Sequence, residues 1–344
     1  MALTDEEREE LFNLTENKQF KKLKELLCEM NEVDIADLLM DLSPEKALVI
    51  FRLLPKDLSS EVFACLEIEQ QKSIIDSISD RELEQIIEDL AIDDAVDMVE
   101  ELPASVVKRI LKNARPDTRR LINQYLQYPD NSAGSIMTAE YVALRPGMTV
   151  EEAFAYIRKN GVDKETIYTC YVINTSRKLE GVVTLKDLLM HPYETKVQDI
   201  MEDDFLFALT TDDQEEVAAT FNKYDLLALP VVDRENRLVG IVTVDDIVDV
   251  MEQEATEDFQ KMAAMTPSEK SYLKTSVFVL AKNRIIWLLV LMLSSMVSGF
   301  ILNYYEATFA AVPLLVSFIP TLMDTGGNSG SQASTLIIRL SSET

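Results

Sequence analysis

The sequence has one histidine and three cysteines among its 344 residues. Histidine is the usual acid–base and zinc-binding side chain, and the single His191 precedes a proline, so a histidine-based catalytic or zinc site is excluded. Cys28, Cys65 and Cys170 are widely spaced and form no metal-ligand pattern, which favours thiols in a reducing cytosol over a disulfide framework. The sequence shows no P-loop and no nucleophile beside a base, so we expect no catalytic residues and no enzymatic activity.

Basic residues are also scarce, since 33 Lys and Arg face 60 Asp and Glu and give a formal net charge of −27. This balance argues against nucleic acid as a partner, because phosphate binding needs clustered Lys and Arg. It favours either a solvated acidic surface or a cationic partner. Charge is dense up to Arg284, whereas Glu306 and Asp324 are the only acids or bases from 285 to 338.

Residues 1–131 show only helical periodicity, with apolar side chains recurring at three- and four-residue spacings. Ser43 before Pro44 is a predicted helix start, and Ser79 with Glu82 matches a capping box. Short helices separated by short turns predict an acidic, superhelical α-helical domain.

An internal duplication begins near residue 132. SIMT at 135–138 is echoed by DIME at 199–202, and GVVTLKD at 181–187 is echoed by GIVTVDD at 240–246. Each copy, 132–198 and 199–253, predicts the order β-α-β-β-α. One copy is small for an independent core, so we expect the two copies to pair through their sheets.

The C-terminal part predicts α-helical transmembrane segments within 284–344, with spans at about 285–303 and 307–340. Trp287 and Tyr304 flank the first span, as in an aromatic belt, and a basic stripe precedes it over 267–284. The other interpretation is a buried core helix of a soluble domain. Lys282 and Arg284 predict that the N-terminal end of the first span, and with it the N-terminal domains, is cytoplasmic. We expect a multi-pass protein of the plasma membrane, in contact with the lipid bilayer.

Carboxylates on the helix that follows the second copy suggest a metal site. Asp246, Asp249 and Glu257 share one helical face, bordered by Glu254 and Asp258. Like charges at these spacings destabilise a helix, so either water and salt offset the repulsion or a hard divalent cation such as Mg²⁺ does.

A second carboxylate set lies in the helical domain, where Asp93 and Asp97 project one turn apart and Glu61 could join them from a neighbouring helix. Two such acidic surfaces would repel each other without metal and approach when they share cations. This would make a sensor of cation concentration.

The second apolar run is interrupted by Pro313, Pro320 and a glycine-rich stretch, and we expect irregular backbone there. Asp324, Asn328 and Gln332 recur every four residues and are candidates to line a pore. The alternative is that Asp324 lies in a loop at the membrane surface.

The repeated motif resembles the cystathionine-β-synthase (CBS) domain, and the order of parts resembles the MgtE family of magnesium transporters. The hallmark segments are YDLLALPVVD at 224–233, VTVDDIVD at 242–249, EATED at 254–258 and GGNSGSQ at 326–332. The resemblance covers essentially the whole chain. It implies tandem CBS domains, a connecting (plug) helix at about 254–283, and a homodimer whose cytoplasmic domains bind Mg²⁺ at several weak sites and close the pore.

By position, the resemblance assigns regulatory Mg²⁺ ligands to Glu61, Asp93, Asp97, the carbonyl of Gly134, Asp213, Asp225, Asp246, Asp249, Glu254, Glu257 and Asp258. It also assigns an adenine nucleotide to Thr184 and Asp187 and to Thr243 and Asp246, where the alternative is that these residues only cap the following helix. A membrane-tethered CBS regulator that senses ATP is therefore the second functional hypothesis. The family has five spans, so we expect this sequence to be a fragment or to be unable to transport unaided.

Overall fold

The structure is a computed structural model that describes residues 5–162, 164–263, 265–267, 276–311 and 314–342. The chain forms two compact units, Met1–Asp246 and Ile247–Thr344. The first unit contains the helical domain and most of the duplicated region. The second contains the remainder of the acidic helix and the apolar helices.

Short helices build the N-terminal domain, and most of them pack on the next helix but one: α3 on α5, α5 on α7, α7 on α9, α4 on α6 and α8 on α10. Their bounds are α1 Asp5–Glu16, α2 Phe20–Leu27, α3 Glu32–Met40, α4 Pro44–Phe51, α5 Lys56–Ala64, α6 Ile68–Ser77, α7 Asp80–Asp89, α8 Ile92–Glu101, α9 Ala104–Asn113 and α10 Pro116–Tyr125. The domain buries leucine and isoleucine side chains such as Leu39, Ile75 and Ile110 between successive helices. This repeated packing confirms the predicted helical domain.

Two helix starts were predicted from the sequence, and both are present. Ser79 accepts a hydrogen bond from the Glu82 amide at 3.3 Å, and the Glu82 carboxylate accepts one from the Ser79 amide at 2.7 Å. This is the reciprocal capping box. Ser43 is also the N-cap of its helix with Pro44 next to it, although its hydroxyl makes no capping bond.

The duplicated region forms two three-stranded sheets with the same topology. The first copy contains β1 Val142–Leu144, α11 Val150–Asn160, β2 Thr169–Ile173, β3 Leu179–Thr184 and α12 Leu185–Met190. The second contains β4 Ala208–Leu209, α13 Gln214–Tyr224, β5 Ala228–Val232, β6 Leu238–Thr243 and α14 Val244–Met262. In each copy the first two strands are parallel and the last two are antiparallel. Tyr171 and Ile173 of one sheet share a buried cluster with Leu238 and Ile241 of the other, so the sheets pair as expected.

The two copies exchange the segments that precede their first strands. Thr138 exchanges backbone hydrogen bonds of 2.8 and 2.9 Å with Ile241 of the second sheet, and Glu202 exchanges bonds of 2.8 and 3.0 Å with Val182 of the first. Each SIMT-like segment therefore completes the sheet of the opposite copy. Glycines at 181 and 240 permit the approach, since a Cβ at Gly240 would lie 2.7 Å from the Thr138 carbonyl oxygen.

In the second unit, α15 Val277–Tyr304 is followed by α16 Glu306–Ala311 and α17 Leu314–Ser342. One helix in the described part of the chain, α15, is long and apolar enough to cross a membrane, and none of its apolar window is buried. Residues 268–275 and Pro313 lie outside the described residues, so the predicted helix over 267–284 is described only from its last part.

The irregular backbone predicted for the glycine-rich stretch is wrong within the described residues. The helix α17 continues through Pro320, Gly326, Gly327 and Gly330. Glycine weakens a helix interior by only about 1 kcal/mol. An apolar environment in turn favours a helix, because every backbone group is then satisfied internally.

Candidate functional site

Three carboxylates project from α8 of the helical domain. Burial, followed by the charges of Asp94 and Asp246, raises the pKa of Asp93 to about 8. Asp97 is exposed at the surface, yet the surrounding protein atoms reduce its hydration and, together with the charges of Glu100 and Asp94, raise its pKa to about 7. Lost hydration and the charge of Asp245 also raise the pKa of Asp94. These carboxylates are crowded by other acids rather than paired with Lys or Arg.

The start of α14 supplies the facing carboxylates. Asp246 accepts a hydrogen bond of 2.7 Å from the Thr243 hydroxyl, which fixes its side chain at the end of β6. Lost hydration raises the pKa of Asp246 to about 6; the Thr243 hydrogen bond opposes this rise, and the charge of Asp245 adds to it. The CBS motif therefore directs one aspartate of its strand-to-helix turn at the helical domain.

The first CBS copy contributes a third group through the loop between α11 and β2. The amide of Glu165 donates a 2.9 Å hydrogen bond to the Glu140 carbonyl, which holds the loop beside the segment before β1. Reduced hydration, followed by the charges of Asp245 and Asp246, raises the pKa of Glu165 to about 7. We call the seven acids of this site the carboxylate cluster: Asp93, Asp94, Asp97, Glu140, Glu165, Asp245 and Asp246.

The cluster fits a hard divalent cation by the chemistry of its donors, because carboxylate oxygens are the ligands that Mg²⁺ and Ca²⁺ select. Asp93 Oδ1 is buried and has no hydrogen-bond partner. The hydroxyl of the neighbouring Tyr125 is also buried and also has no partner. Among the described residues, no three His, Cys, Asp or Glu side chains form a group that could hold a metal ion as they stand. A cation shared across the cluster would reduce the repulsion between these acids.

Of the ligands implied by the resemblance, Asp93, Asp97 and Asp246 lie together in the carboxylate cluster. Glu61 on α5 acts with Asp94 on one neighbouring group: lost hydration, followed by the charges of Glu32, Asp94 and Glu61, raises the pKa of the Cys65 thiol. A ligand role for Glu61 stays a prediction. The Gly134 backbone approaches so closely that a Cβ would lie 2.7 Å from the Thr210 carbonyl and from the Tyr128 ring.

Asp213 and Asp225 define the two ends of α13. The Asp213 carboxylate caps the helix by accepting a 2.9 Å hydrogen bond from the Glu215 amide. Asp225 is the C-cap and adopts a left-handed conformation with φ 53°. These contacts are structural, and a ligand role for either residue stays a prediction.

The remaining implied ligands, Asp249, Glu254, Glu257 and Asp258, follow on α14 within the second unit. Glu257 makes a 2.6 Å ion pair with Lys261 one turn later. Pairs of this kind on an exposed helix face contribute about 0.3–0.5 kcal/mol. This part of the helix is therefore partly neutralised within itself.

The proposed nucleotide residues occupy equivalent positions in the two copies. Thr184 and Asp187 form a full capping box at the start of α12. Thr243 and Asp246 make the corresponding side-chain bond at the start of α14, where Asp246 also belongs to the carboxylate cluster. The full capping box is recorded in the first copy, the second shows the equivalent Thr–Asp side-chain bond, and nucleotide binding at these residues stays a prediction.

The pore-lining candidates lie on α17, not in a loop. Asp324, Asn328 and Gln332 follow at four-residue intervals on this helix. The Asn328 amide lies 3.5 Å from the Asp324 carboxylate, at the outer limit of a hydrogen bond. Their alignment agrees with the predicted spacing, and the pore itself stays a prediction.

Sequence reasoning missed four members of the carboxylate cluster: Asp94, Glu140, Glu165 and Asp245. Asp94 and Asp245 are direct neighbours of predicted ligands and could have been included on that ground. Glu140 and Glu165 lie in irregular segments, where no periodic pattern indicates the direction of a side chain.

Comparison with known proteins gives matches along most of the chain. The family model for the MgtE intracellular N domain matches residues 30–131, and the model for the CBS domain matches 133–194 and 197–253. The magnesium transporter MgtE of Thermus thermophilus is 40% identical over 323 residues, which cover 93% of this chain and 72% of that protein. The magnesium transporter MgtE of Bacillus subtilis is 31% identical over 321 residues, covering 93% and 71%.

Solved structures that resemble the chain include two with cytosolic or soluble parts of related transporters. The cytosolic domain of the Mg²⁺ channel MgtE in complex with ATP has 38% identity and a TM-score of 0.66, covering 70% of this chain and 98% of that one. The soluble part of a magnesium transporter has 30% identity and a TM-score of 0.69, covering 73% and 99%. Both of the sequence relatives named above are transporters, which agrees with the expectation that the chain is not an enzyme.

Proposed function

Because the chain belongs to the MgtE family of magnesium transporters, we propose that it is a transporter subunit whose helical and CBS domains sense intracellular Mg²⁺ and gate a pore. The observation that carries this proposal is the carboxylate cluster. Asp93 and Asp97 of the helical domain, Glu165 of the first CBS copy and Asp246 of the second all have a raised pKa, with charges of the other acids among the causes.

The physical basis of sensing is the competition between repulsion and cation binding. Without a divalent cation, the ionised acids of α8 and α14 repel each other and favour separation of the helical domain from the CBS copies. At high Mg²⁺ concentration the carboxylates would share the cation, and the closed arrangement would become more stable by mass action. The regulatory ligands implied by the resemblance, from Glu61 to Asp258, would add further weak sites.

We also propose that the apolar helices of the second unit belong to a multi-pass membrane part. The apolar helix α15 supports one span, and α17 would supply a second span with Asp324, Asn328 and Gln332 facing the ion path. Lys282 and Arg284 before the first span support cytoplasmic N-terminal domains. A homodimer in the plasma membrane completes this proposal, with residues 254–283 acting as the connecting (plug) helix.

ATP is the second ligand that we propose, for one specific reason. A relative that is 38% identical over the cytosolic part is described in complex with ATP. The Thr and Asp of each CBS motif, at 184 and 187 and at 243 and 246, are the candidate ribose contacts. Because Asp246 also belongs to the carboxylate cluster, nucleotide and cation binding would be coupled in the second copy.

Calorimetric titration of the full chain in detergent micelles tests the proposal. We expect Mg²⁺ to bind in the millimolar range, and binding to weaken by about tenfold when Asp93→Asn is combined with Asp246→Asn. The matched control is Asp117→Asn, because that carboxylate is 92% exposed and makes only a 3.8 Å ion pair with Arg120. Tight ATP binding with no response to Mg²⁺ would instead support the nucleotide-sensing regulator.

A further inference from the structure

Tyr125, the last residue of α10, is buried with 2% of its surface exposed, yet its hydroxyl has no hydrogen-bond partner. A buried hydroxyl without a partner is destabilising compared with an apolar group of the same shape. Native proteins rarely leave such groups unpaired, and the exceptions often mark a bound water, an ion or a functional site.

A buried acceptor belongs to the same environment. Asp93 Oδ1 is also buried without a partner, and α8 packs on α10. The pKa of the Tyr125 phenol is raised, first by lost hydration and then by Tyr128 and the charge of Asp93. The charge of Glu140 adds a smaller contribution. The phenol therefore lies within the electrostatic reach of two members of the carboxylate cluster.

The tyrosine ring is held in place by aromatic packing. The rings of Tyr125 and Tyr128 meet edge to face, with centroids 5.8 Å apart and planes at 89°. Tyr128 in turn packs against the Gly134 backbone, where a Cβ would lie 2.7 Å from the Tyr128 ring. This chain of contacts links the hydroxyl of Tyr125 to the segment that joins the helical domain to the CBS copies.

We propose that Tyr125 is a positioning residue of the carboxylate cluster. In this structure its hydroxyl has no partner; when a divalent cation is bound, the hydroxyl would donate a hydrogen bond to Asp93 and accept one from a water molecule bound to the cation. A tyrosine hydroxyl can do both at once, since it carries one donor and acceptor lone pairs. Mg²⁺ releases its water reluctantly and usually keeps several molecules when it binds to carboxylates. The inference rests on the proposed function, which supplies the cation.

This role would make the cluster a site that recognises a partly hydrated ion. Groups that orient the first ligands of a metal typically change its affinity about 10–100-fold when they are removed. Tyr125 would orient Asp93, the most strongly perturbed carboxylate of the site, and would pair with water that the carboxylates alone leave unsatisfied.

The test is Tyr125→Phe in the full chain in detergent micelles, with Tyr171→Phe as the matched control. Tyr171 is also fully buried with an unpartnered hydroxyl, but it lies in the cluster between the two CBS sheets. We expect Tyr125→Phe to keep or raise the melting temperature in chelator, because it removes an unpaired polar group, while weakening the Mg²⁺ response about tenfold. Tyr171→Phe should leave the Mg²⁺ response unchanged.

An unchanged Mg²⁺ midpoint in Tyr125→Phe would overturn the inference, and so would an equal loss in Tyr171→Phe. If the wild type itself shows no Mg²⁺ response, the proposed function fails instead.

Discussion

Asp93 binds its proton more tightly than an ordinary aspartate does, because burial and the neighbouring charges of Asp94 and Asp246 disfavour its ionised form. The same direction holds for Asp97 and Glu165, whose pKa values rise to about 7. Protons and divalent cations would therefore relieve the same repulsion, and the metal-free protein would respond to pH.

The sign of that response follows from the raised values. A carboxylate whose pKa is higher in the folded protein than in the unfolded chain stabilises the fold at low pH, and this stabilisation is lost as pH rises through the folded value. In chelator, we therefore expect the melting temperature to fall between about pH 5 and pH 8. Each loss of about 1 kcal/mol in stability lowers the melting temperature by about 2–4 °C in a protein of this size.

Differential scanning calorimetry over this pH range checks the expectation. Asp93→Asn, which resembles the protonated residue, should reduce the fall, as should saturating Mg²⁺ at the upper end of the range. A melting temperature that rises steadily from pH 5 to pH 8 in chelator would contradict it.

Among individual residues, the sequence predicted part of the carboxylate cluster. Spacing indicated that Asp93 and Asp97 project together, because residues four apart share a helix face. Glu165 and Tyr125 could not be predicted, since the loop position of the first and the lack of a partner for the second depend on packing between distant segments.

Among the elements, the duplicated motif positions the site. The strand-to-helix turn after β6 brings Asp245 and Asp246 to the helical domain, while the equivalent turn after β3 brings Thr184 and Asp187 to another location. Of the two copies of this motif, the second contributes its aspartates to the carboxylate cluster. The repeat and its β-α-β-β-α order were predicted from the sequence, but the exchange of the 135–138 and 199–202 segments was not, since backbone bridges between distant residues leave no local pattern.

This exchange predicts a specific effect of Gly240→Ala. The added Cβ would meet the Thr138 carbonyl at 2.7 Å and the Met137 sulfur at 2.8 Å, so the paired segment must shift. We expect a loss of stability of about 1–3 kcal/mol, typical of overpacking. Gly147→Ala is the control, because nothing lies within 4 Å of a Cβ there. Urea denaturation followed by circular dichroism measures both, and equal stability of the two variants would refute the close approach at Gly240.

For helix α17 the prediction of irregular backbone was wrong, and the reason lies in its composition. Glycine and proline usually mark turns, so their cluster at 320–330 predicted an interruption. In the structure this stretch is helical, which agrees with the rule that apolar surroundings favour internal backbone hydrogen bonds over turns.

In the first unit as a whole, three segments that are distant in sequence bring their acids together. α8 supplies Asp93, Asp94 and Asp97, the first CBS copy supplies Glu140 and Glu165, and the start of α14 supplies Asp245 and Asp246. The net charge of −27 indicated a cationic partner, but composition alone could not separate a solvated surface from a shared site. The raised pKa values indicate that these acids lie close enough to perturb one another, and a shared cation stays a proposal.

The distance between the helical domain and the CBS copies shows whether a cation holds the carboxylate cluster together. After Cys28 and Cys65 are changed to serine, spin labels placed at the exposed positions Lys108 on α9 and Lys186 on α12 would report this distance by double electron–electron resonance. We expect a short, narrow distribution in millimolar Mg²⁺ and a longer, broader one in chelator near pH 8. The same distribution under both conditions would refute a cation-dependent approach of the two domains.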